Sequence, residues 1–325
     1  MVASVPKAEL HCHIEGAASP ELVMQQGERY GVDTSAFIDP GKGYIWTDFT
    51  SFLEAYDSAA ALFRSADDYI LLTEDHYLGL AAQNCIYAEV FASPDHAARI
   101  GCSYTELIEA IATGIRNARA STGIEGRVIA VGLRHEGPER VEATARLVAD
   151  HPHPMVTGFG MAGDERMYRQ TDFARAFRIA GEAGLGLTVH AGELCGAESV
   201  RDALDHLGVS RVGHGVRAIE DAELVRRLAE EGTVLEICPA SNIVLDVFSS
   251  YANHPFRKLE EAGCRVTLNS DDPPHFHSSL ANEYRIAVEE FGYQPQDLMR
   301  FTKIAIEAAF VDGDTRTRLL EKLGS

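Results

Sequence analysis

The chain of 325 residues has a hydrophobic fraction of 46% and a charged fraction of 24%, which is ordinary for a soluble globular protein and excludes extensive disorder. Its formal net charge of −20 argues against a nucleic acid or an anionic membrane as partner, because both would repel it. No apolar run of about 18 residues predicts a membrane span, and the amino-terminal residues include no apolar stretch of signal-peptide length. We therefore expect a cytoplasmic protein that binds a small molecule.

Eight short runs rich in β-branched residues lie along the chain, and longer helical patterns separate most of them. The runs cover residues 7–13, 85–91, 127–133, 156–161, 186–190, 211–213, 233–237 and 265–269. The helical patterns include residues 104–120, 140–149, 171–183, 200–207 and 221–231. Eight strands that alternate with helices favour a closed (β/α)8 barrel of the TIM type over an open doubly wound sheet.

One long segment interrupts this alternation. Residues 19–82 follow the first predicted strand and contain no convincing barrel strand. We predict that they form a helical insertion, or lid, on a single domain that spans residues 1–325. The six cysteines are scattered and lack a Cys-x-x-Cys spacing, so we expect reduced and mostly buried thiols without a catalytic role.

Polar residues gather where the predicted strands end, which is the face that carries the active site in barrels of this type. They follow strands one, four, five, six and eight: His11 and His13; Gly163, Asp164 and Glu165; His190 and Glu193; His214; and Asp271 and Asp272. Taken singly, each has an ordinary structural explanation such as a turn or a helix cap. Their coincidence on one barrel face predicts a common site.

Three histidines and one aspartate form a reasonable shell for a divalent metal. His11 and His13, two residues apart on a strand, would point to the same side, and His190 would supply the third imidazole. Asp271 and Asp272 would point to opposite sides in extended backbone, so one is expected to bind metal and the other substrate or water.

One metal is favoured over two. A two-metal hydrolase on this fold commonly needs a bridging group from a middle strand, often a modified lysine, and the chain has no lysine between Lys42 and Lys258. A water on a single metal would ionise near neutral pH. His214 has the intrinsic pKa of a base that could accept its proton, and Glu193 would be a general acid if burial raised its pKa. Glu193 could equally cap the helix that follows.

In this order, the motifs resemble those of the adenosine deaminase family within the amidohydrolase superfamily. The motifs lie at residues 6–13, 163–165, 190–193, 212–215, 238–242 and 270–273. The resemblance implies one zinc ion per chain, with iron or another divalent metal as alternatives. It assigns that metal to His11, His13, His190 and Asp271.

The resemblance also assigns the catalytic roles on a 6-aminopurine. Glu193 would protonate N1, and His214 would activate the water that attacks C6. Asp272 would hydrogen-bond to N7, and the backbone of Gly163 would meet N3.

Phe49, Phe52, Leu53 and Tyr56 have the spacing of one apolar helix face. Periodicity alone favours ordinary core packing for such a face. The resemblance implies instead that these four side chains form a wall of the substrate pocket.

The group on purine N9 is the open question. Adenosine to inosine and ammonia is our first expectation, although Glu15 stands where adenosine deaminases usually carry an aspartate suited to a ribose hydroxyl. Glu15, and the lack of an arginine after Glu89 in the run of residues 88–91, make adenine an alternative substrate. Residues 269–274 and 282–284 also resemble deaminases of larger metabolites such as aminodeoxyfutalosine.

Other classes of function remain as alternatives. A barrel that binds metal or nucleoside without turnover would be expected to lack Glu193 or His214, and both are present. Another amidohydrolase, acting on a cyclic amide, would be favoured by two metals per chain. A cytidine-deaminase site fails because Pro-Cys-x-x-Cys is absent. The sequence carries no prediction of oligomeric state.

Overall fold

Eight parallel strands form one sheet in which each barrel strand pairs with the next along the chain. The structure, a computed structural model, describes residues 2–324. The strands are β1 (Lys7–Glu9), β2 (Cys85–Ala92), β3 (Glu125–Leu133), β4 (Val156–Ala162), β5 (Gly186–Ala191), β6 (Arg211–His214), β7 (Val234–Ile237) and β8 (Arg265–Leu268). The predicted (β/α)8 barrel is therefore confirmed, and all eight strands lie within the predicted runs or within two residues of them.

The first and last strands meet just beyond their carboxyl ends. The Asp271 N–H donates to the carbonyl of His11 at 3.1 Å, and the His13 N–H donates to the carbonyl of Asp271 at 3.0 Å. The Leu10 N–H donates to the Asn269 side chain at 2.9 Å. Residues 10–13 continue β1 only as isolated bridges, one to Asp271 and one to Phe91. The closing seam of the barrel thus lies among the predicted metal ligands.

Helices surround the barrel. They are α1 (Pro20–Tyr30), α2 (Phe49–Ala60), α3 (Ala66–Ala82), α4 (Pro94–Arg99), α5 (Tyr104–Thr122), α6 (Pro138–Asp150), α7 (Ala174–Glu182), α8 (Ala197–His206), α9 (Ala222–Glu231), α10 (Pro239–Val244), α11 (Phe256–Glu261), α12 (Leu280–Glu289), α13 (Leu298–Ala308) and α14 (Gly313–Gly324). Short 3-10 helices cover Val2–Ser4, Glu15–Ala17, Arg134–Glu136, Gln170–Phe173, Val216–Glu220, Tyr251–Asn253 and Pro295–Asp297. Among residues 2–324, no helix combines the length and apolar character that a membrane crossing requires.

The predicted insertion contains α1, α2, α3 and a hairpin of Ile38–Asp39 with Gly43–Tyr44. α3 packs along α5 in the outer ring, so the elements that reach over the barrel mouth are the hairpin and α2. The Tyr44 hydroxyl donates to the carbonyl of Ala18 at 2.9 Å, and its ring stacks on His275 at 3.7 Å. These contacts hold the hairpin against the loop that follows β8.

α2 begins at a capping box that its sequence encodes. The Asp48 side chain accepts from the Ser51 N–H at 2.8 Å, and the Ser51 hydroxyl faces the Asp48 N–H at 2.9 Å. This reciprocal pair satisfies backbone donors that would otherwise be unpaired at the helix start. It sets the rotation of the helix, and with it the direction in which the aromatic side chains of α2 point.

A charged group fills part of the barrel interior. The fully buried guanidinium of Arg211 lies 2.7 Å from Glu89, 2.6 Å from Glu236 and 3.6 Å above the ring of Phe310. Two carboxylates around one guanidinium leave a net negative charge. Glu236 places part of that charge beside His11, because its other oxygen lies 2.9 Å from His11 Nδ1. The six cysteines, all within the described residues, are free thiols, and five of them are buried.

Candidate active site

One cavity opens at the carboxyl ends of the strands, below α2. All seven predicted substrate-binding residues line it: Glu15, Phe49, Phe52, Leu53, Tyr56, Gly163 and Asp272. His13, His190, Glu193, His214 and Asp271 line it as well, and His11 lies fully buried beneath it. The structure therefore brings every sequence-predicted site residue to one place.

The candidate metal ligands converge on one point. His13 Nε2 lies 3.2 Å from His190 Nε2. Asp271 Oδ1 lies 3.5 Å from both His11 Nε2 and His13 Nε2. His11 Nε2 is buried and has no hydrogen-bond partner, although a buried ring nitrogen normally has one. An ion between these atoms would give each of them a partner.

The Nδ1 atoms of His11 and His190 point away from the candidate metal position, and their hydrogen bonds determine whether Nε2 carries a lone pair. His11 Nδ1 donates to Glu236 at 2.9 Å, and His190 Nδ1 donates to the carbonyl of Met161 at 3.0 Å. In their neutral form, both rings therefore present an unprotonated Nε2 inward, which is the form that binds a metal. The Ser241 hydroxyl donates to Asp271 Oδ2 at 2.7 Å and orients that carboxylate.

The electrostatics also fit a cation. Burial disfavours a charged His11, but Asp271 and Glu236 outweigh burial and raise the pKa of His11 to about 10. Burial lowers the pKa of His13 to about 4 and that of His190 well below its ordinary value, so both rings are neutral near pH 7. The cluster attracts one positive charge while two of its imidazoles stay free to ligate, so the donor set suits a divalent metal.

Two candidate catalytic groups face the same point. His214 Nε2 lies 3.6 Å from Glu193 Oε1 and 3.9 Å from Asp271 Oδ2. Burial, together with the charges of Asp271 and Glu165, raises the pKa of Glu193 well above its ordinary value. This shift favours the protonated form of Glu193, which can give a proton to a buried base.

Distances alone would also admit His214 as a metal ligand. Its ring lies within 4.8 Å of ligand atoms of His11, His190 and Asp271, whereas His13 groups with Asp271 and Asp272. We favour His13 because its Nε2 is 3.2 Å from His190 Nε2, while His214 Nδ1 already accepts a hydrogen bond from Asn242. That bond leaves the proton of neutral His214 on Nε2.

The loop that carries Glu193 is held by Glu165, a residue that the sequence analysis placed at the strand ends without assigning it a role. Glu165 accepts from the backbone N–H groups of Gly192, Glu193, Leu194 and Cys195 at 2.6–3.0 Å. The Ser199 hydroxyl donates to the same carboxylate. A buried carboxylate with five donors fixes the loop backbone, and hence the direction of the Glu193 side chain.

Two glycines leave room where a Cβ would not fit. A Cβ on Gly16 would lie 1.7 Å from Asp272 Oδ1, so only glycine lets that carboxyl rest here. Gly163 has φ +105, and a Cβ there would lie 2.7 Å from His135 Nδ1. Burial and the charge of Asp271 raise the pKa of Asp272 well above its ordinary value, which favours the protonated form of its carboxyl.

Glu15 lies in the part of the cavity lined by residues of α2 and α4. The Tyr69 hydroxyl donates to Glu15 Oε1 at 3.2 Å, and His96 Nδ1 lies 3.9 Å from the same oxygen. His96 Nε2 is 3.7 Å from Asp57, which is exposed at the surface. Burial raises the pKa of Glu15 to about 7.

Sequence reasoning missed Asp57, Ser93, His96 and His135, which also line the cavity. Ser93 and His96 follow β2, and His135 follows β3, so the strand-end rule could have found all three. Glu236 carried no comparable signal, and Asn242 closed the motif at residues 238–242 without a predicted role. Each contacts a histidine that is distant in sequence.

Comparison with known proteins decides the family. Residues 6–325 match the family described as adenosine deaminase. The chain belongs to the adenosine deaminase family. An adenine deaminase of Sinorhizobium fredii is 58% identical over 323 residues, which cover 99% of each chain.

Two solved structures are similar over nearly the whole chain. An adenine deaminase from Arthrobacter aurescens has a TM-score of 0.90 and 28% identity, covering 99% of this chain and 98% of its own. An amidohydrolase from Burkholderia ambifaria with bound Zn has a TM-score of 0.89 and 28% identity, covering 99% and 93%. The family resemblance seen in the motifs is thus confirmed.

This member of the adenosine deaminase family is a hydrolase that acts on the C–N bond of an aminopurine. The family is metal-dependent, and the convergent histidines and Asp271 form a candidate metal site that suits such an enzyme. The predicted classes of enzyme and substrate are confirmed, whereas adenosine as the particular substrate is not.

Proposed function

We propose that this enzyme hydrolyses adenine to hypoxanthine and ammonia. Relatives more than half identical over nearly the full chain are named adenine deaminases, and so is a structural neighbour. These names favour adenine, the alternative reading of the sequence, over adenosine, the first expectation.

The observation that carries the proposal is the buried Glu15 in the cavity wall. A free purine has a ring N–H that a nucleoside lacks, and a buried donor needs an acceptor. Glu15 is 2% exposed, and Tyr69 holds one of its oxygens. We infer that the other oxygen accepts the N9–H of adenine, while His96 packs beside it.

Each polar group of the cavity has its own role toward the purine or the water. Glu193 gives its proton to N1, and the protonated Asp272 donates to N7. Gly163 meets N3 with its backbone, and the His214 Nε2 edge faces the attacking water. The aromatic wall of α2 excludes bulk water, which strengthens these polar contacts.

His11, His13, His190 and Asp271 would hold the metal, with zinc as our first choice. When bound, the metal acts as a Lewis acid that lowers the pKa of a water molecule toward neutrality. The water oxygen then forms a bond to C6. The water gives one proton to the exocyclic amino group, so the C6–N bond breaks and ammonia leaves. Its second proton returns to Glu193, which leaves hypoxanthine with a C6=O bond.

The direct test is to load the purified enzyme with zinc and measure ammonia release from adenine, adenosine and aminodeoxyfutalosine. We expect kcat/KM to be highest for adenine. A higher value for adenosine or aminodeoxyfutalosine would overturn the substrate proposal, and no turnover of any 6-aminopurine would overturn the reaction as well.

Glu15→Gln supplies a matched test of the recognition step. Its amide keeps the size of the carboxyl group but replaces one acceptor oxygen with a donor. We expect kcat/KM for adenine to fall on the order of 10- to 100-fold, the usual cost of one lost or mismatched hydrogen bond to a buried group. An unchanged value would show that Glu15 does not contact the base.

A further inference from the structure

Three buried side chains, His214, Asn242 and His254, form a chain of hydrogen bonds. Asn242 Nδ2 lies 3.1 Å from His214 Nδ1, and Asn242 Oδ1 lies 3.1 Å from His254 Nε2. The chain ends at the Phe256 N–H, which donates to His254 Nδ1 at 3.2 Å. Asn242 belongs to α10, and Phe256 is the first residue of α11.

The backbone at the far end fixes the direction of every bond in this chain. The Phe256 N–H can only donate, so His254 Nδ1 accepts and the proton of neutral His254 is on Nε2. That N–H donates to Asn242 Oδ1, which turns the Asn242 amide nitrogen toward His214. Asn242 then donates to His214 Nδ1, and the proton of neutral His214 must be on Nε2.

Burial keeps solvent away from these groups. His214, Asn242 and His254 are 1%, 0% and 4% exposed, so solvent does not compete for their polar atoms. The His254 ring stacks on Phe291 at 5.4 Å, which fixes its plane, and its edge meets Phe248 at 5.3 Å. A chain with every member satisfied in a dry setting is strongly ordered.

We propose that Asn242 and His254 are positioning residues that hold His214 in the Nε2–H form, so that His214 enters the reaction as a hydrogen-bond donor to the attacking oxygen. The inference goes beyond the proposed function and rests on it for the identity of that oxygen. It also separates His214 from His11 and His190, whose Nδ1–H bonds leave Nε2 free for a metal.

With its proton on Nε2, His214 acts as a hydrogen-bond donor and not as the general base that its intrinsic pKa suggests. A protonated Nε2 cannot accept the proton that the attacking water loses. Glu193 Oε1 lies 3.6 Å from the same nitrogen, so the carboxylate left after N1 is protonated is placed to receive it. The water O–H bond then breaks toward Glu193 while the oxygen stays hydrogen-bonded to His214.

Asn242→Asp tests the tautomer with almost no change in shape. An aspartate can accept from both rings, so His214 would move its proton to Nδ1 and turn a lone pair toward the substrate. We expect kcat to fall on the order of 100-fold, the usual cost of one lost donor to a developing oxyanion. KM and zinc content should change less than about twofold, because Asn242 bonds to His214 and His254 and the lost interaction acts only in the transition state.

The tautomer can be read without any turnover. In protein labelled with 15N-histidine, long-range 1H–15N correlation spectra distinguish the Nε2–H form from the Nδ1–H form. We expect the first form for His214 in the wild type and the second in Asn242→Asp. An Nδ1–H signal from wild-type His214, or an unchanged kcat in the variant, would overturn the proposal.

Two His254 variants separate hydrogen bonding from packing. His254→Gln can still donate to Asn242 and accept from the Phe256 N–H, so it should retain most of kcat. His254→Leu cannot, and should lose kcat as Asn242→Asp does. Phe248→Leu is the packing control on the same ring and should leave kcat unchanged. Equal losses of kcat in His254→Gln, His254→Leu and Phe248→Leu would overturn the proposal and leave Asn242 and His254 with a purely structural role. Because the spectra need no substrate, they test the tautomer even if the proposed reaction fails.

Discussion

Single residues at this site adopt backbone conformations that side chains normally avoid. His214 has φ 58 and Asp271 has φ 63, both in the left-handed region that favours glycine. Such conformations cost free energy and persist where surrounding contacts enforce them, commonly at functional sites. His214 is the last residue of β6 and Asp271 lies three residues after the end of β8. The turns at these strand ends aim both side chains into the cavity.

Glu193 is predicted to act on the substrate and not on the metal. Glu193→Gln keeps the size of the side chain but cannot give up a proton, so kcat should fall on the order of 100- to 10,000-fold. The metal content should stay at one per chain when measured by elemental analysis. Loss of the metal in this variant would make Glu193 a ligand and contradict its assignment as the acid.

Glu165 is predicted to matter through the loop that it holds. Glu165→Gln places an amide nitrogen among five donors, so at least one buried N–H loses its acceptor, at a cost of about 1–3 kcal/mol. We expect a lower free energy of unfolding in urea and a lower kcat. The matched control is Asp164→Asn, because Asp164 pairs with Arg166 at the surface and not with the loop. Equal effects of the two changes would argue against the anchoring role.

At the scale of elements, the position of α2 over the cavity depends on where the helix begins and which way its apolar face points. The periodicity of Phe49, Phe52, Leu53 and Tyr56 predicted one apolar face but could not say what that face covers. The hairpin, through Tyr44 and His275, and the capping box at Asp48 place it over the barrel mouth. Core packing and a pocket wall have the same sequence pattern, because both need only one apolar helix face.

Asp48→Ala is predicted to loosen that wall. It removes the acceptor for the Ser51 N–H, so the first turn of α2, which carries Phe49, should fray. We expect a several-fold rise in KM for adenine with kcat nearly unchanged, measured by steady-state kinetics. Ser58→Ala, at the exposed end of the same helix, is the control. An unchanged KM would mean that the start of α2 does not shape the pocket.

At the scale of the whole molecule, the candidate metal site and the closure of the barrel coincide. His11, His13 and Asp271 exchange backbone hydrogen bonds across the seam between β1 and β8, while their side chains converge on the same point. His190 joins them from β5, on the other side of the barrel. A bound ion would therefore link three parts of the barrel wall.

Removing the metal is predicted to destabilise the fold. A ligand at about 100 times its Kd stabilises the folded state by about 2.7 kcal/mol, so a chelator should lower the thermal midpoint by several degrees, and added zinc should restore it. Glu193→Gln should show the full shift because it keeps the ligands. Asp271→Ala should show almost none. A wild-type midpoint unaffected by the chelator would contradict a linking role for the metal.

The sequence by itself determined the barrel and the set of residues at its mouth. Eight short β-branched runs separated by helices have few other ways to bury both faces of a parallel sheet. Parallel strands of a barrel all end at one face. The positions of His11, His13, His190 and Asp271 near strand ends therefore require them to lie close together at that face.

Only the tertiary structure decided what each of these groups does. The tautomer of His214 depends on Asn242 and His254, and the orientation of Glu193 depends on Glu165, through contacts that no local pattern records. The sequence shows Glu15 in place of the usual aspartate, but only the folded structure shows that it is buried and bonded to Tyr69. Protonation and hydrogen bonding depend on distances between residues far apart in the chain, and those distances exist only once the barrel has closed.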